Sequence, residues 1–285
     1  MSEFEKNLTE YIDDLKNPDP KIRIEAANKL GEWGNDRAVT PLIEVLTHED
    51  ENLRRVAASA LKEIGNKRAL EPLLDLLKKD SSPEVRAEAA YCLGYFQEAS
   101  NEIDALLVAL EDGNYLVRQN AAFAAGKLGR RKSVSNLILL LEKDENYNVK
   151  EMAAWALGEI GDKRASDTLI HTLSDLNSDV RRTAAYALGR LGDSKAIDML
   201  KKQLARTGEV KEPAWALTKI MKTKPAILLL RDTFKKKRKE KSLEDCIELT
   251  KIVIELDRKT AENMKNEMLS DDAFRKYHDE ISEIV

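Results

Sequence analysis

One segment of this chain recurs along most of its length. Residues 180 to 192 read Val-Arg-Arg-Thr-Ala-Ala-Tyr-Ala-Leu-Gly-Arg-Leu-Gly, and weaker copies begin at Ile22, Leu53, Val85, Val117 and Val149, so successive starts lie 31, 32, 32, 32 and 31 residues apart. A fixed period in the range of about 20 to 50 residues excludes most folds, because a unit that short cannot bury its own apolar face and must stack on its neighbours. With the first apolar residue as position zero, position one is basic in every copy (Arg23, Arg54, Arg86, Arg118, Lys150, Arg181). Positions four and five are always an alanine pair, from Ala26-Ala27 to Ala184-Ala185.

Helical spacing turns the repeat into an architecture. At about 100° per residue, positions zero, four, seven, eight and eleven fall on one side of a helix and are nearly all apolar. Position eight reads Leu30, Leu61, Leu93, Ala125, Leu157 and Leu188; position eleven reads Trp33, Ile64, Phe96, Leu128, Ile160 and Leu191. The alanine pairs leave room for neighbouring helices to approach closely. Glycines such as Gly31 and Gly34 end the helix, a short polar turn follows, and a second apolar stretch begins, with Pro41 in the first turn of the first such helix. Helix, glycine turn, helix is therefore the unit. The third copy departs from it, because residues 97–100 replace the Gly-Asp turn found elsewhere, and a local irregularity is expected there.

The ends differ from the middle. Residues 3 to 16 place Phe4, Leu8, Tyr11, Ile12 and Leu15 on one helical face, as a cap on the stack would require. After Leu204 the repeat decays into a seventh, degenerate copy around Val210, Trp215, Leu217 and Ile220, with Pro213 in its first turn. Residues 225 to 234 predict a further helix, and the basic run Lys235 to Lys241 follows. A long non-repeat helix is expected from Leu243 to about Met268, and a short one with Phe274, Tyr277, Ile281 and Ile284 after it. The expected division is a repeat region over 1–222, of about seven helix pairs including the cap, and a helical cap or extension over 223–285 that carries the basic run 235–241.

Bulk properties narrow the function. Ala, Leu, Lys and Glu supply helix propensity. A formal charge of −4 argues against a surface built to neutralise phosphates, hence against nucleic acid as partner. Cys92 and Cys246 are too few and too far apart for a disulfide framework or a metal site, which fits a reducing compartment. No apolar run approaches membrane-spanning length and the N-terminus lacks a signal-peptide pattern, so the expectation is a cytoplasmic, monomeric protein without membrane insertion.

The copy running from Asn148 to Ala165 resembles the short HEAT-like repeat named after phycobilisome lyases: Asp-x-x-Val-Arg-x-x-Ala-Ala-x-Ala-Leu-Gly-x-Ile-Gly-Asp-x-x-Ala. The resemblance covers roughly residues 18 to 204. It implies an all-α fold, a right-handed α-α superhelix of HEAT-like repeats in which the first helix of each pair lines the concave face. Proteins of this family serve as binding scaffolding in unrelated settings, including chromophore lyases. The non-repeat C-terminal extension has no counterpart in the resemblance.

Position six is the most informative column outside the core. It reads Asn28, Ser59, Tyr91, Phe123, Trp155 and Tyr186, with Trp215 in the degenerate copy, and lies at about 240°, away from the core side. Tyr95 at position ten and Met152 at position three flank it. Two readings stand: an exposed stripe that binds a protein or peptide, or a column buried between adjacent helices of a tightly curved stack. Around the stripe stand eight acids (Glu25, Glu32, Glu63, Glu84, Glu88, Glu151, Glu159, Asp179) and five bases (Lys21, Arg55, Lys127, Arg182, Arg190). HEAT-like DNA glycosylases would need a basic groove, which this balance does not supply.

The position-one bases read as a structural ion-pair ladder between repeats, with acids such as Asp19 and Asp50 one turn upstream. Iron hydroxylases of the HEAT type carry repeated His-Glu dyads, whereas only His48-Glu49 forms one here, His171 and His278 standing elsewhere. No phosphate loop, nucleophile elbow or spaced carboxylate pair appears. A non-catalytic chain without cofactor or metal is therefore expected, gripping a partner through Tyr91, Tyr95, Phe123, Met152, Trp155, Tyr186 and Trp215. The alternative is an accessory subunit of a chromophore lyase or a similar modification or chaperone complex. The basic run reads as a solvated helix end or linker, or as a contact for nucleic acid, a membrane surface or an acidic partner.

Overall fold

The computed structural model describes residues 3–97, 103–206 and 208–284, and of these residues 3–7 and 103 only as backbone. Among the described residues the chain is built of α-helices and short 3-10 turns, with no strand. It divides into two compact units, Met1–Ala156 and Leu157–Val285.

In the first unit the organising helices are α2 (Pro20–Trp33), α4 (Glu51–Ile64), α6 (Pro83–Leu93), α8 (Tyr115–Lys127) and the start of α10 (Tyr147–Ile160), taking α1 as Glu3–Asp14, α3 as Val39–Glu44, α5 as Leu70–Lys79, α7 as Ile103–Ala109 and α9 as Val134–Lys143. α2, α4, α6 and α8 lie side by side, and the even and odd helices alternate as the two layers of a repeat. The alanine pairs are wholly buried, as are Leu30, Leu61, Leu93 and Ala125 of position eight. α1 packs on α2, with Leu8 and Leu15 buried and Tyr11 edge-on to Trp33 at 5.1 Å.

Turn chemistry repeats with the helices. Gly65 and Gly161 at position twelve take φ of 70°, a left-handed conformation that only glycine adopts without strain, and so end α4 and α10. In the third copy Gln97 holds that position, α6 stops at Leu93, and Gly94 stays right-handed with φ of −61°. The remainder of the irregularity expected over 97–100 lies outside the described residues.

The position-one arginines do bridge repeats, but not to acids one turn upstream. Arg86 Nε and Nη2 hold the carboxylate of Asp112 at 2.9 and 3.0 Å, while Nη1 donates to the Asp80 carbonyl at 2.9 Å. Arg54 meets Asp80 and Arg118 meets Asp144 in the same bidentate way, each at 2.7 Å through Nε. The partner is the acid that opens the next copy. A planar fork reaches across a repeat and ties down its own loop carbonyl, which a local i,i+4 pair would not do. Burial alone would lift the Asp112 carboxyl, but the Arg86 guanidinium and the Asn114 amide outweigh it and hold it below the usual carboxylate range.

The second unit carries α11 (Ser166–Thr172), α12 (Ser178–Leu191), α13 (Ile197–Gln203), α14 (Lys211–Ile220), α15 (Thr223–Lys239), α16 (Leu243–Ile254), α17 (Arg258–Leu269) and α18 (His278–Ser282). α12 packs on α14 and α14 on α16, so the alternation of helices runs on through the C-terminal segment. Arg181 continues the ladder onto Glu209, 3.0 Å from Nε.

Two sequence expectations need correction here. The helix expected from Leu243 to Met268 is two helices, because Asp257 adopts an extended backbone with φ of −158° and its carboxylate accepts from the Thr260 hydroxyl, restarting the chain as α17. The basic run does form the end of α15, but not a wholly solvated one, because Lys237 within it is fully buried. Its ammonium lies 3.4 Å from the buried carboxylate of Asp245, which also accepts from the Gly208 amide at 2.9 Å and from Ser242 at 2.8 Å. Arg238 next to it pairs with Glu267 at 3.4 Å and Asp271 at 3.8 Å. These two bases hold the C-terminal helices together instead of meeting an outside anion.

Candidate functional site

The position-six rings emerge from helices that touch through alanine. Position nine, which sequence reasoning passed over, explains how they lie: it reads Gly31, Lys62, Gly94, Gly126, Gly158 and Gly189. A Cβ on Gly31 would stand 2.8 Å from the Ala60 Cα, and one on Gly158 would stand 2.8 Å from the Ala187 Cα. Neighbouring organising helices thus meet backbone to backbone, and at Gly94, Gly126 and Gly189 the ring at position six of the next copy lies over the bare glycine. At Gly189 the nearest atom to such a Cβ is Cζ3 of Trp215, at 2.5 Å.

The resulting column is neither solvent-facing nor buried. Tyr91, Phe123, Trp155, Tyr186 and Trp215 are all half-buried, and Tyr95 is exposed. In the first unit Tyr91 stacks on Phe123 at 5.1 Å, and Phe123 on Trp155 at 5.5 Å with ring planes 12° apart. Tyr95 tilts against Phe123 at 5.9 Å and shares a 2.8 Å hydrogen bond with the Tyr91 hydroxyl. In the second unit Tyr186 stacks on Trp215 at 5.1 Å. The column thus lies between the two readings, exposed stripe and buried column: rings one repeat apart cover one face of each other, and the other edge stays open. Met152 is half-buried on α10, three residues before Trp155.

Charged side chains complete the surface. Where glycine is missing at position nine, Lys62 places its ammonium 5.1 Å from the Tyr91 ring and 5.2 Å from Tyr95, and pairs with Glu63 at 2.8 Å. Lys127 lies 5.6 Å from the Tyr95 ring. In the second unit the Tyr186 hydroxyl donates to Glu159 at 3.1 Å and accepts from Arg190 at 3.2 Å. The cation–π contacts of the lysines were legible only once the rings were seen to sit beside the preceding copy.

Chemically this is a surface of planar apolar faces with paired charges. Cys92 is buried and burial pushes its thiol well up, away from the reactive thiolate; Cys246 is pushed up to about 12 for the same reason. Among the described residues no three His, Cys, Asp or Glu side chains gather as a metal site needs, and no helix is long and apolar enough to cross a membrane.

Paired helices whose first members stack through alanine and glycine, with an arginine ladder from copy to copy, define an α-helical repeat protein. The chain belongs to the HEAT repeat family: the family described as HEAT repeats matches residues 8–94, 70–142, 103–178 and 134–218. No curated protein matches the chain significantly by sequence. Among solved structures, the Escherichia coli protein YibA is similar with a TM-score of 0.64 and 21% identity, over 90% of this chain and 97% of that one. A chain from the complex of CpcE and CpcF of phycocyanin lyase from Nostoc sp. PCC7120 gives a TM-score of 0.52 and 22% identity over 80% of this chain and 94% of that chain. An engineered protein gives 0.52 and 20% identity, over 97% of this chain and 88% of its own. At such identities the likeness is one of fold alone.

Proposed function

We propose that the chain is a non-catalytic scaffold that holds a segment of another protein on its organising-helix face. The observation that carries this reading is the half-buried ring stack of Tyr91, Phe123 and Trp155, whose open edges repeat at the spacing of the helices. A row of large, pre-ordered apolar faces gains contact area at little entropic cost, which is why aromatic residues dominate binding energy at interfaces. Tyr95 and Met152 extend the row in the first unit, and Tyr186 with Trp215 provides its counterpart in the second. The test is a pull-down from the native organism with the wild-type chain and with Phe123→Ala/Trp155→Ala. A partner retained equally by both would overturn the reading.

A second reading takes the repeat to be of the phycobilisome-lyase type and the chain to be an accessory subunit of a chromophore lyase or a similar modification complex. Its support is the motif from Asn148 to Ala165 together with the likeness to the CpcE and CpcF complex. The same pull-down separates the two: a co-purified partner that carries a covalent chromophore favours the accessory subunit, and one without favours the plain scaffold.

A further inference from the structure

In the second unit α16 does more than cover α14. Its outward residues Glu248, Lys251, Ile252 and Glu255 line an open groove of about 450 Å³, together with Lys211, Glu212 and Trp215 of α14 and Tyr186 of α12. The C-terminal helix and the stacked rings of the repeat therefore share one recess, of a size that binding sites commonly have. We infer that this recess docks a protein segment that presents a lysine or arginine beside a large apolar side chain. The inference rests on the scaffold reading and gives the partner chemistry of its second-unit half.

Charge selects the partner. Both lysines of the recess are committed to one acid, Lys251 lying 3.3 Å and Lys211 3.7 Å from Glu248. Glu212 and Glu255 have no such partner within 4 Å among the described residues, and Arg182, whose guanidinium feels the Glu212 charge, is itself paired with Asp179. Glu255 is also the C-cap of α16, where the unpaired carbonyls of the helix end already carry partial negative charge. Two carboxylates, one reinforced by a helix terminus, thus flank an apolar floor made by Trp215 and Ile252. Lys219 lies 5.5 Å from the Trp215 ring, so an incoming cation is directed to the carboxylates and its apolar neighbour to the ring edge. The lining carries three carboxylates, Glu212, Glu248 and Glu255, against two lysines, so an acidic segment would meet net repulsion there.

The test uses the full chain and a fluorescein-labelled amphipathic peptide of Leu, Trp and Arg, with a counterpart carrying Glu in place of Arg, read by anisotropy at low and high salt. The Arg peptide is expected to bind at least about tenfold more tightly than the Glu peptide, and to weaken with salt. Glu212→Gln with Glu255→Gln should weaken it by about tenfold, whereas Glu71→Gln with Asp75→Asn on α5 should leave it unchanged. Equal binding of both peptides, binding of neither, or the same affinity in the Glu212/Glu255 variant overturns the inference. Loss confined to Phe123→Ala/Trp155→Ala would overturn it too while leaving the scaffold reading standing, and loss confined to the carboxylate variant upholds the recess whatever the first-unit rings do.

Discussion

The ring of Trp155 rests on Gly126: a Cβ added there would stand 2.9 Å from its Cζ3 atom and 2.7 Å from the Cα of Ala156. Gly126→Ala should therefore destabilise the chain, although alanine is the better helix former by about 1 kcal/mol. Pushing apart two backbones that meet directly costs about 1–3 kcal/mol, so overpacking wins. Gly113→Ala, where a Cβ would meet nothing within 4 Å, is the matched control and should be close to neutral. Thermal melts of the two variants check the expectation, and equal midpoints would rule out the close approach.

The arginine ladder predicts an acid-sensitive component of stability. Asp80 and Asp112 have folded pKa values below the usual carboxylate range: burial would raise them, but Arg54 and Arg86 respectively, with a backbone amide each, outweigh it. The unfolded chain binds the proton more readily, near the ordinary value of about 3.9, so this stability is complete above that pH and is lost as pH falls through the folded values. Arg86→Ala removes the fork, leaves the Asp112 carboxylate half-buried without its partner, and should cost about 1–3 kcal/mol at neutral pH. Between pH 5 and pH 2 the variant should lose less further stability than the wild type. Melts across that range decide it.

Much of this arrangement was legible in the sequence because its cause is periodic. The alanine pairs and the apolar residues at position eight are buried in every copy, since a fixed helical phase fixes their direction. The state of the Tyr91, Phe123 and Trp155 column was not legible from its own phase, because it depends on position nine of the preceding copy, Lys62 for Tyr91, Gly94 for Phe123 and Gly126 for Trp155, a relation between helices rather than within one. The break at Asp257 is hidden in the sequence for the opposite reason: one residue in extended backbone, helped by Thr260, overrides an apolar stripe that leads up to it. Lys237 reads in sequence like its neighbours Lys236 and Lys239, and only the chain fold brings Asp245 to it.

That burial separates the lysines of the basic run. Lys237→Ala leaves Asp245 in the interior without its cation and should cost about 3–5 kcal/mol. Replacing both, as Lys237→Met with Asp245→Leu, should cost less than the single change because no orphaned charge remains, although the Gly208 amide and Ser242 hydroxyl then lose an acceptor. Lys236→Ala, at an exposed position, should shift stability by no more than about 0.5 kcal/mol. Urea titrations of the three variants test the ordering; equal effects at Lys236 and Lys237 would contradict the buried pair.

The ring stack makes the last prediction, and its two readouts answer different questions. A fully buried aromatic truncated to alanine costs about 3–5 kcal/mol. Phe123 and Trp155 are half-buried and stacked at 5.5 Å, so each should cost less, about 1–2 kcal/mol from lost stacking and partial burial. Because the rings touch, the double variant should lose less than the sum of the singles, and a double-mutant cycle by thermal melting measures that coupling. Partner binding should fall much further than stability, since the open edges of the rings are what a partner would cover. If the double variant instead unfolds at the growth temperature, the rings serve the core and the scaffold reading loses its main support. If it stays folded and binds as before, the partner docks elsewhere on the chain.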